Sequence, residues 1–177
     1  MSRIGKVPVA IPEGVEVNLN GNEVNVAGKL GTLKNAFPKE VKIIMENGQL
    51  QVKPVDDSTR AKAMWGLSRS LLNNMVVGVS VGFKIRLEIN GVGYNAAIDN
   101  KILTIKIGYS HSIKILIPDT VTVRCEKPTL IELEGADKKV VGEIARTIKS
   151  QRKLDPYKGK GIKFEGEKIR RKVGKKK

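Results

Sequence analysis

The fold follows from one repeated stretch, which reads LKNAFPKEVKIIM at residues 33–45 and IKILIPDTVTVRC at residues 113–125, 80 positions later. In each copy an apolar segment ends in a proline, Pro38 or Pro118, and alternating apolar residues follow. Recurrence at a fixed offset indicates internal duplication. We therefore predict two similar domains that superpose strand for strand.

Short strands are predicted wherever apolar and polar residues alternate, because a period of two places every second side chain on one face of a sheet. In the first half this alternation occurs at Val15/Val17/Leu19, Val24/Val26, Val41/Ile43/Met45 and Leu50/Val52. In the second half it occurs at Leu87/Ile89, Leu103/Ile105/Ile107, Ile113/Ile115/Ile117, Val121/Val123 and Ile131/Leu133.

One helical pattern closes each half. Asp57 precedes the first and Asp137, again 80 positions on, precedes the second, so we predict that each aspartate caps its helix. Apolar residues recur at near-helical spacing at Met64, Leu67, Leu71 and Met75, and at Val140, Val141, Ile144, Ala145 and Ile148. The pattern predicts an α+β fold of two similar domains, each a small, mostly antiparallel sheet with one helix packed on it, plus a basic C-terminal arm.

The positive charge is concentrated near the C-terminus. The formal net charge is +15, and the 13 basic and 3 acidic residues from Lys149 onward supply +10 of it. Such a surplus requires an anionic partner, and nucleic acid and acidic membrane surfaces are the common ones. Because few large apolar residues follow Gln151, we expect an arm that becomes ordered only on a polyanion.

These features divide the chain into three parts. We predict a first α+β domain at residues 1–81, whose first ten residues form a loosely held arm, a second at residues 82–152, and a basic RNA-binding tail at residues 153–177. The first boundary falls in the glycine-rich stretch at residues 78–82.

Composition argues against several classes of protein. Cys125 is the only cysteine, which precludes an intramolecular disulfide and suits a reducing cytosol. Pro8 and Pro12 interrupt the apolar N-terminal stretch, so no signal peptide is expected. One cysteine and one histidine, His111, are too few for a metal site built on nitrogen and sulfur. We expect no metal, cofactor, small-molecule substrate or membrane partner.

The sequence GVSVG at residues 78–82 fits the G-x-S-x-G pattern of hydrolases, and Ser80, Asp99 and His111 occur in a suitable order. That nucleophile turn requires a strand before the serine and a helix after it. Here a helical pattern precedes Ser80 and a strand pattern follows, so we interpret the stretch as a connector and predict no enzymatic activity.

The sequence GVGYNA at residues 91–96 fits a relaxed dinucleotide-binding pattern. In that site a helix follows the glycines, whereas another strand pattern follows here, so we predict a hairpin bent at glycine. His111 lies in a predicted tight turn, with RNA contact as an alternative. Trp65 is predicted to pack between helix and sheet.

The tail contains DPYKGKGI at residues 155–162. Tyrosine stacks on unpaired bases, lysine neutralises phosphates, and glycine lets backbone amides approach a phosphodiester closely. A flexible, solvated tail is the alternative. We assign RNA binding to Lys149, Arg152, Lys153, Tyr157, Lys158, Gly159, Lys160, Gly161, Lys163, Lys168, Arg170, Arg171, Lys172 and Lys175.

The segment PYKGKGI at residues 156–162 resembles the signature of the sixth large-subunit ribosomal protein family of bacteria. Further similar stretches are SRIGK at residues 2–6, GVGY at residues 91–94 and GYSH at residues 108–111. Leu154 and Asp155 stand where the family usually has proline and glutamate. At residues 27–31 the chain has AGKLG where the family commonly has KGPKG.

The resemblance implies two domains of one fold and a structural role. Family members bind large-subunit ribosomal RNA through the second domain and tail, near the stalk base, beside neighbouring ribosomal proteins and the place where translation factors act. A cytoplasmic, ribosomal location follows. A non-ribosomal RNA-binding protein or chaperone is the alternative, because its charge would look the same.

Overall fold

The computed structural model describes residues 3–46 and 48–174. The chain divides into two compact units, Met1–Gly82 and Phe83–Lys177. Lys175, one of the residues assigned to RNA binding, lies outside the described residues.

The elements of the first unit are β1 (Val9–Ala10), β2 (Glu16–Asn20), β3 (Glu23–Gly28), β4 (Gly31–Ala36), β5 (Val41–Glu46), β6 (Gln49–Pro54) and α1 (Thr59–Ser80). The strands form two three-stranded antiparallel sheets, ordered β1-β6-β5 and β2-β3-β4. The apolar faces of these sheets and the helix enclose a core that includes the fully buried Val24, Leu50 and Leu72.

The elements of the second unit are β7 (Phe83–Asn90), β8 (Asn95–Asp99), β9 (Ile102–Lys106), β10 (Ile113–Leu116), β11 (Val121–Lys127), β12 (Leu130–Gly135), α2 (Lys138–Gln151) and β13 (Gly161–Phe164). The strands form a three-stranded sheet, ordered β8-β9-β10, and a four-stranded sheet, ordered β11-β12-β7-β13, with every pairing antiparallel. The core of this unit includes the fully buried Leu87, Leu133 and Ile148.

The predicted duplication is confirmed by strand order, since β7-β12-β11 repeats β1-β6-β5 and β8-β9-β10 repeats β2-β3-β4. The turn after each repeated proline is also the same. The Val41 N–H donates to the Pro38 carbonyl at 3.3 Å, and the Val121 N–H donates to the Pro118 carbonyl at 3.1 Å. Each unit contains two small sheets rather than the single sheet that alternation alone predicted.

The two helices are capped differently, although equivalent caps were predicted. Asp137 accepts from the Lys139 N–H at 2.8 Å and caps α2 as expected. At α1 the prediction was wrong, because the Ser58 hydroxyl accepts from the Ala61 N–H at 3.1 Å. Asp57 instead pairs with Lys62 at 3.3 Å. Adjacent aspartate and serine residues can both cap a helix, so spacing alone could not identify the one used.

The buried face of α1 matches the predicted one only in part, since Met75 is buried and Met64 packs against the first core. Leu67 and Leu71 are 50% and 37% exposed, whereas Leu72, Val76 and Val79 are buried. The predicted position of Trp65 is confirmed: the ring packs against the first core, and its indole N–H donates to the Val52 carbonyl.

Three further expectations change at the ends of the units. Val9 is 2% exposed and pairs with Leu50, so this part of the N-terminal segment is not loosely held. Gly78 and Ser80 belong to α1, so the connector reduces to the two residues that follow this helix. Ile162 is completely buried within β13, which shows that the tail does not lack order of its own.

Neither enzyme-like motif has the geometry that its chemistry requires. Ser80 ends a helix, and its hydroxyl donates to the Val76 and Val77 carbonyls at 2.9 and 3.1 Å. The glycines at residues 91–93 lead into strand β8 rather than into a helix, and Gly93 has φ +76°. The turn at glycine is present, but the predicted hairpin is wrong, because β7 pairs with β12 and β13 whereas β8 pairs with β9.

Candidate nucleic-acid interface

The loop at residues 155–160 is closed by Asp155. Its carboxylate accepts from the Tyr157 and Lys158 N–H groups, both at 3.1 Å, and its own N–H donates to the Lys160 carbonyl at 2.8 Å. The amide donors of Tyr157 and then Lys158 lower the pKa of Asp155 below its usual value. The acid therefore stays ionised at neutral pH and fixes the backbone that carries the lysines.

The two glycines of this loop serve the fold. Gly159 and Gly161 have φ +70° and +136°, values that side-chain-bearing residues rarely adopt. A Cβ on Gly161 would lie 2.7 Å from the Lys153 carbonyl oxygen. The Gly159 N–H donates to the Asp155 carbonyl at 2.9 Å, so this donor, predicted to face a phosphate, is engaged inside the loop.

The segment after β13 returns to the loop. The Lys172 N–H donates to the Pro156 carbonyl at 2.9 Å, and the Arg171 guanidinium lies beside Gly159. Cations from both segments are therefore presented together. We define the cation cluster as the exposed residues Lys153, Lys158, Lys160, Lys168, Arg170, Arg171 and Lys172.

No member of the cation cluster forms an ion pair within residues 3–46 and 48–174. Tyr157 stands among these cations and is 57% exposed. A concentration of unpaired cations with an accessible ring matches what a single-stranded or looped nucleic acid requires.

Lys149 and Lys163 were assigned to RNA binding but are paired inside the second unit. Lys149 Nζ lies 2.6 Å from a Glu167 carboxylate oxygen and 4.5 Å from the Phe164 ring centroid. Lys163 Nζ lies 2.5 Å from Glu88. The Lys149 ammonium, followed by the Phe164 N–H, holds the pKa of Glu167 below its usual range. Both lysines therefore hold β13 and the following turn in place.

Arg152 belongs to a separate group of side chains that sequence reasoning largely missed. Its guanidinium carbon lies 5.0 Å from the Tyr109 ring centroid, and the His111 ring lies 6.1 Å from Tyr109 at an interplanar angle of 13°. Side-chain interaction with Tyr109, and then the charge interaction with Tyr94, raise the pKa of Arg152. We call Tyr109, His111 and Arg152 the aromatic stack. The available signal was the GYSH turn at residues 108–111.

The described residues offer little for other chemistry. They contain no group of three or more His, Cys, Asp or Glu side chains able to hold a metal ion. Burial raises the pKa of the Cys125 thiol and so disfavours its reactive thiolate. Within the same residues, neither helix has the length and hydropathy needed to cross a bilayer.

Comparison with known proteins places the chain in a single group. The family model described as "Ribosomal protein L6" matches residues 11–82 and 90–165. The protein named "Large ribosomal subunit protein uL6" of Paramagnetospirillum magneticum is 52% identical over 177 residues, which cover 100% of both chains. Proteins of the same name from Methylocella silvestris and Parvibaculum lavamentivorans are 49% and 50% identical, again over the full length of both chains.

Proposed function

The chain belongs to the ribosomal protein L6 family, and from this premise we propose that it binds large-subunit ribosomal RNA and stabilises its tertiary structure. It is a structural protein of the large ribosomal subunit in the cytoplasm and not an enzyme. The RNA contacts, the position near the stalk base and factor-binding region, and the residues responsible are parts of the proposal.

The cation cluster is the observation that carries this proposal. Its seven side chains are exposed and unpaired in the described part of the chain, while Lys34, Lys84 and Lys101 pair with Glu23, Glu134 and Asp119. Unpaired cations gain most from neutralising phosphates, because each such interaction releases condensed counterions. The backbone hydrogen bonds around Asp155 reduce the entropy lost when these cations are fixed on RNA.

Phosphate contacts of this kind position a protein on RNA but do not read sequence. We propose that RNA phosphate backbones converge on the loop at residues 155–160. The cation cluster would bridge these RNA backbones and thereby hold RNA helices together. Tyr157 adds a ring that stacks on an unpaired base or covers a sugar. The proposed position lies near the stalk base, beside neighbouring ribosomal proteins and translation factors. This part of the proposal rests on the chain's membership of the family.

The test is equilibrium binding of the full chain to deproteinised large-subunit ribosomal RNA over a range of salt concentrations. Replacing the seven cluster cations by glutamine should reduce the slope of log K against log salt by roughly 0.7 to 0.9 for each phosphate that is no longer neutralised. The control replaces the four paired lysines Lys34, Lys62, Lys84 and Lys101 by glutamine and should reduce the slope far less for each charge removed. Equal slopes for the wild type and the cluster variant would refute the assignment.

Sucrose-gradient sedimentation separates this proposal from the non-ribosomal alternative. A ribosomal protein should migrate with large subunits at about one copy per subunit. An RNA chaperone with the same charge should distribute among RNAs without a fixed stoichiometry. Substoichiometric, salt-labile association would support the chaperone.

A further inference from the structure

We propose that the aromatic stack of Tyr109, His111 and Arg152 is a second RNA site, which binds one unpaired nucleobase of ribosomal RNA. This inference rests on the proposed function, because it assumes an RNA partner. None of the three residues belongs to the cation cluster, although Arg152 directly precedes its member Lys153 in the chain.

The geometry of the stack suits a planar ligand. The Tyr109 and His111 rings are inclined by only 13°, with centroids 6.1 Å apart, and the Arg152 guanidinium carbon lies 5.0 Å from the Tyr109 centroid. Aromatic rings and guanidinium planes are the groups on which proteins stack splayed-out RNA bases. The guanidinium can also reach a flanking phosphate through its remaining donors.

Hydrogen bonding holds the Tyr109 ring, and packing holds Tyr94, which interacts electrostatically with Arg152. The Tyr109 hydroxyl donates to the Gln151 carbonyl at 3.1 Å and fixes the ring to the end of α2. Tyr94 packs between two glycines: a Cβ on Gly91 would overlap its ring, and a Cβ on Gly108 would lie 2.9 Å from its Cε1 atom. A platform formed before binding loses little conformational freedom on binding.

Both rings of the stack are exposed to solvent. Tyr109 is 45% exposed and His111 is also exposed, and both lie in the loop between β9 and β10. Neither residue is among the buried or partly buried apolar residues of the second core. Part of their aromatic surface is therefore accessible to a ligand.

The ligand is a base that is not paired. In an RNA duplex the bases are stacked inside the helix and cannot reach a surface ring, whereas bases of loops and bulges can leave the stack. The phosphate backbone alone does not require two parallel rings. The arrangement therefore favours an unpaired nucleotide over duplex RNA.

The experiment measures binding of Tyr109→Ala to deproteinised large-subunit ribosomal RNA and to a fully duplex RNA. We expect the affinity for ribosomal RNA to fall about 5- to 150-fold with an unchanged salt slope, because stacking involves no phosphate. Affinity for the duplex should stay within twofold of the wild type. Tyr109→Phe should bind nearly as well as the wild type, since the ring remains.

Leu116→Ala is the control for loss of an exposed apolar group in the same unit, because Leu116 is 77% exposed. Thermal unfolding of every variant tests whether the fold is retained. Binding of Tyr109→Ala within twofold of the wild type, with a steep salt slope in both, would overturn the stack proposal and leave the cation cluster standing. An equal loss on duplex RNA would also overturn it. If the wild type itself binds no ribosomal RNA, both proposals fail.

Discussion

Lys149 and Glu167 form an ion pair of 2.6 Å that joins the last turn of α2 to the turn after β13, eighteen residues further along the chain. Glu167 also accepts from the Phe164 N–H at 3.0 Å, and Lys149 lies over the Phe164 ring. Glu167 thus holds the turn after β13 to α2, while the Lys163–Glu88 pair and the pairing with β7 hold β13 itself. The tail cations that have no ion-pair partner among the described residues form the proposed RNA surface.

Acid should loosen this attachment. The pKa of Glu167 is lowered from its ordinary value of 4.5, so the stability it contributes is present above that pH and is lost as pH falls through its lower, folded-state pKa. Hydrogen-exchange protection of the Phe164 amide, which donates to Glu167, should fall over this acid range. Glu167→Gln should remove most of the pH dependence at this amide. The same acid loss in that variant would contradict the assignment.

Ile162 should be essential to the second unit although it lies in the basic tail. The residue is fully buried on a strand that pairs with β7, so Ile162→Ala should lower the free energy of unfolding by about 2–5 kcal/mol. Denaturant titration measures this loss. Leu116→Ala, at an exposed position, should change it by less than about 0.5 kcal/mol. Deletion after Gln151 should destabilise the unit for the same reason.

Gly161 should tolerate no side chain. Its φ of +136° and the approach of the Lys153 carbonyl both oppose a Cβ, so Gly161→Ala should lower the free energy of unfolding by roughly 1–3 kcal/mol or more. Gly174→Ala is the matched control, because a Cβ there meets nothing within 4 Å. Similar thermal unfolding of the two variants would show that the carbonyl contact is unimportant.

Sequence patterns predicted the structural features that depend on residues close together in the chain. The turns at Pro38 and Pro118, the cap at Asp137 and the alternating strands depend on residues close together in the chain, and the duplication made each half a check on the other. Strand β13 was missed because Ile162 is surrounded by lysines and glycines. The burial of Ile162 depends on pairing with β7, which lies about seventy residues earlier in the chain. The alternation of residues within the tail does not indicate such a distant pairing.

The sequence indicated the cationic character of the candidate site but not which of its side chains are paired. Charge identified the tail as a cationic segment, yet it could not separate Lys149 and Lys163, which are paired, from Lys158 and Lys160, which have no ion-pair partner among the described residues. Partners such as Glu88 lie far off in the sequence and are brought close only by the fold. The aromatic stack was not predicted as a group, although Arg152 was assigned to RNA binding and RNA contact was an alternative for His111, because α2 and the loop after β9 meet only in three dimensions.

Lysines with and without an ion-pair partner among the described residues should differ in their contribution to the salt dependence of RNA binding. Lys158→Ala, Lys160→Ala and Lys163→Ala each remove a single positive charge within six residues of one another. For binding to deproteinised large-subunit ribosomal RNA, Lys158→Ala and Lys160→Ala should each reduce the log K against log salt slope by about one. Lys163→Ala should leave the slope unchanged, because Glu88 already neutralises that charge. An equal reduction in all three variants, or none in any, would contradict RNA binding by the unpaired cations.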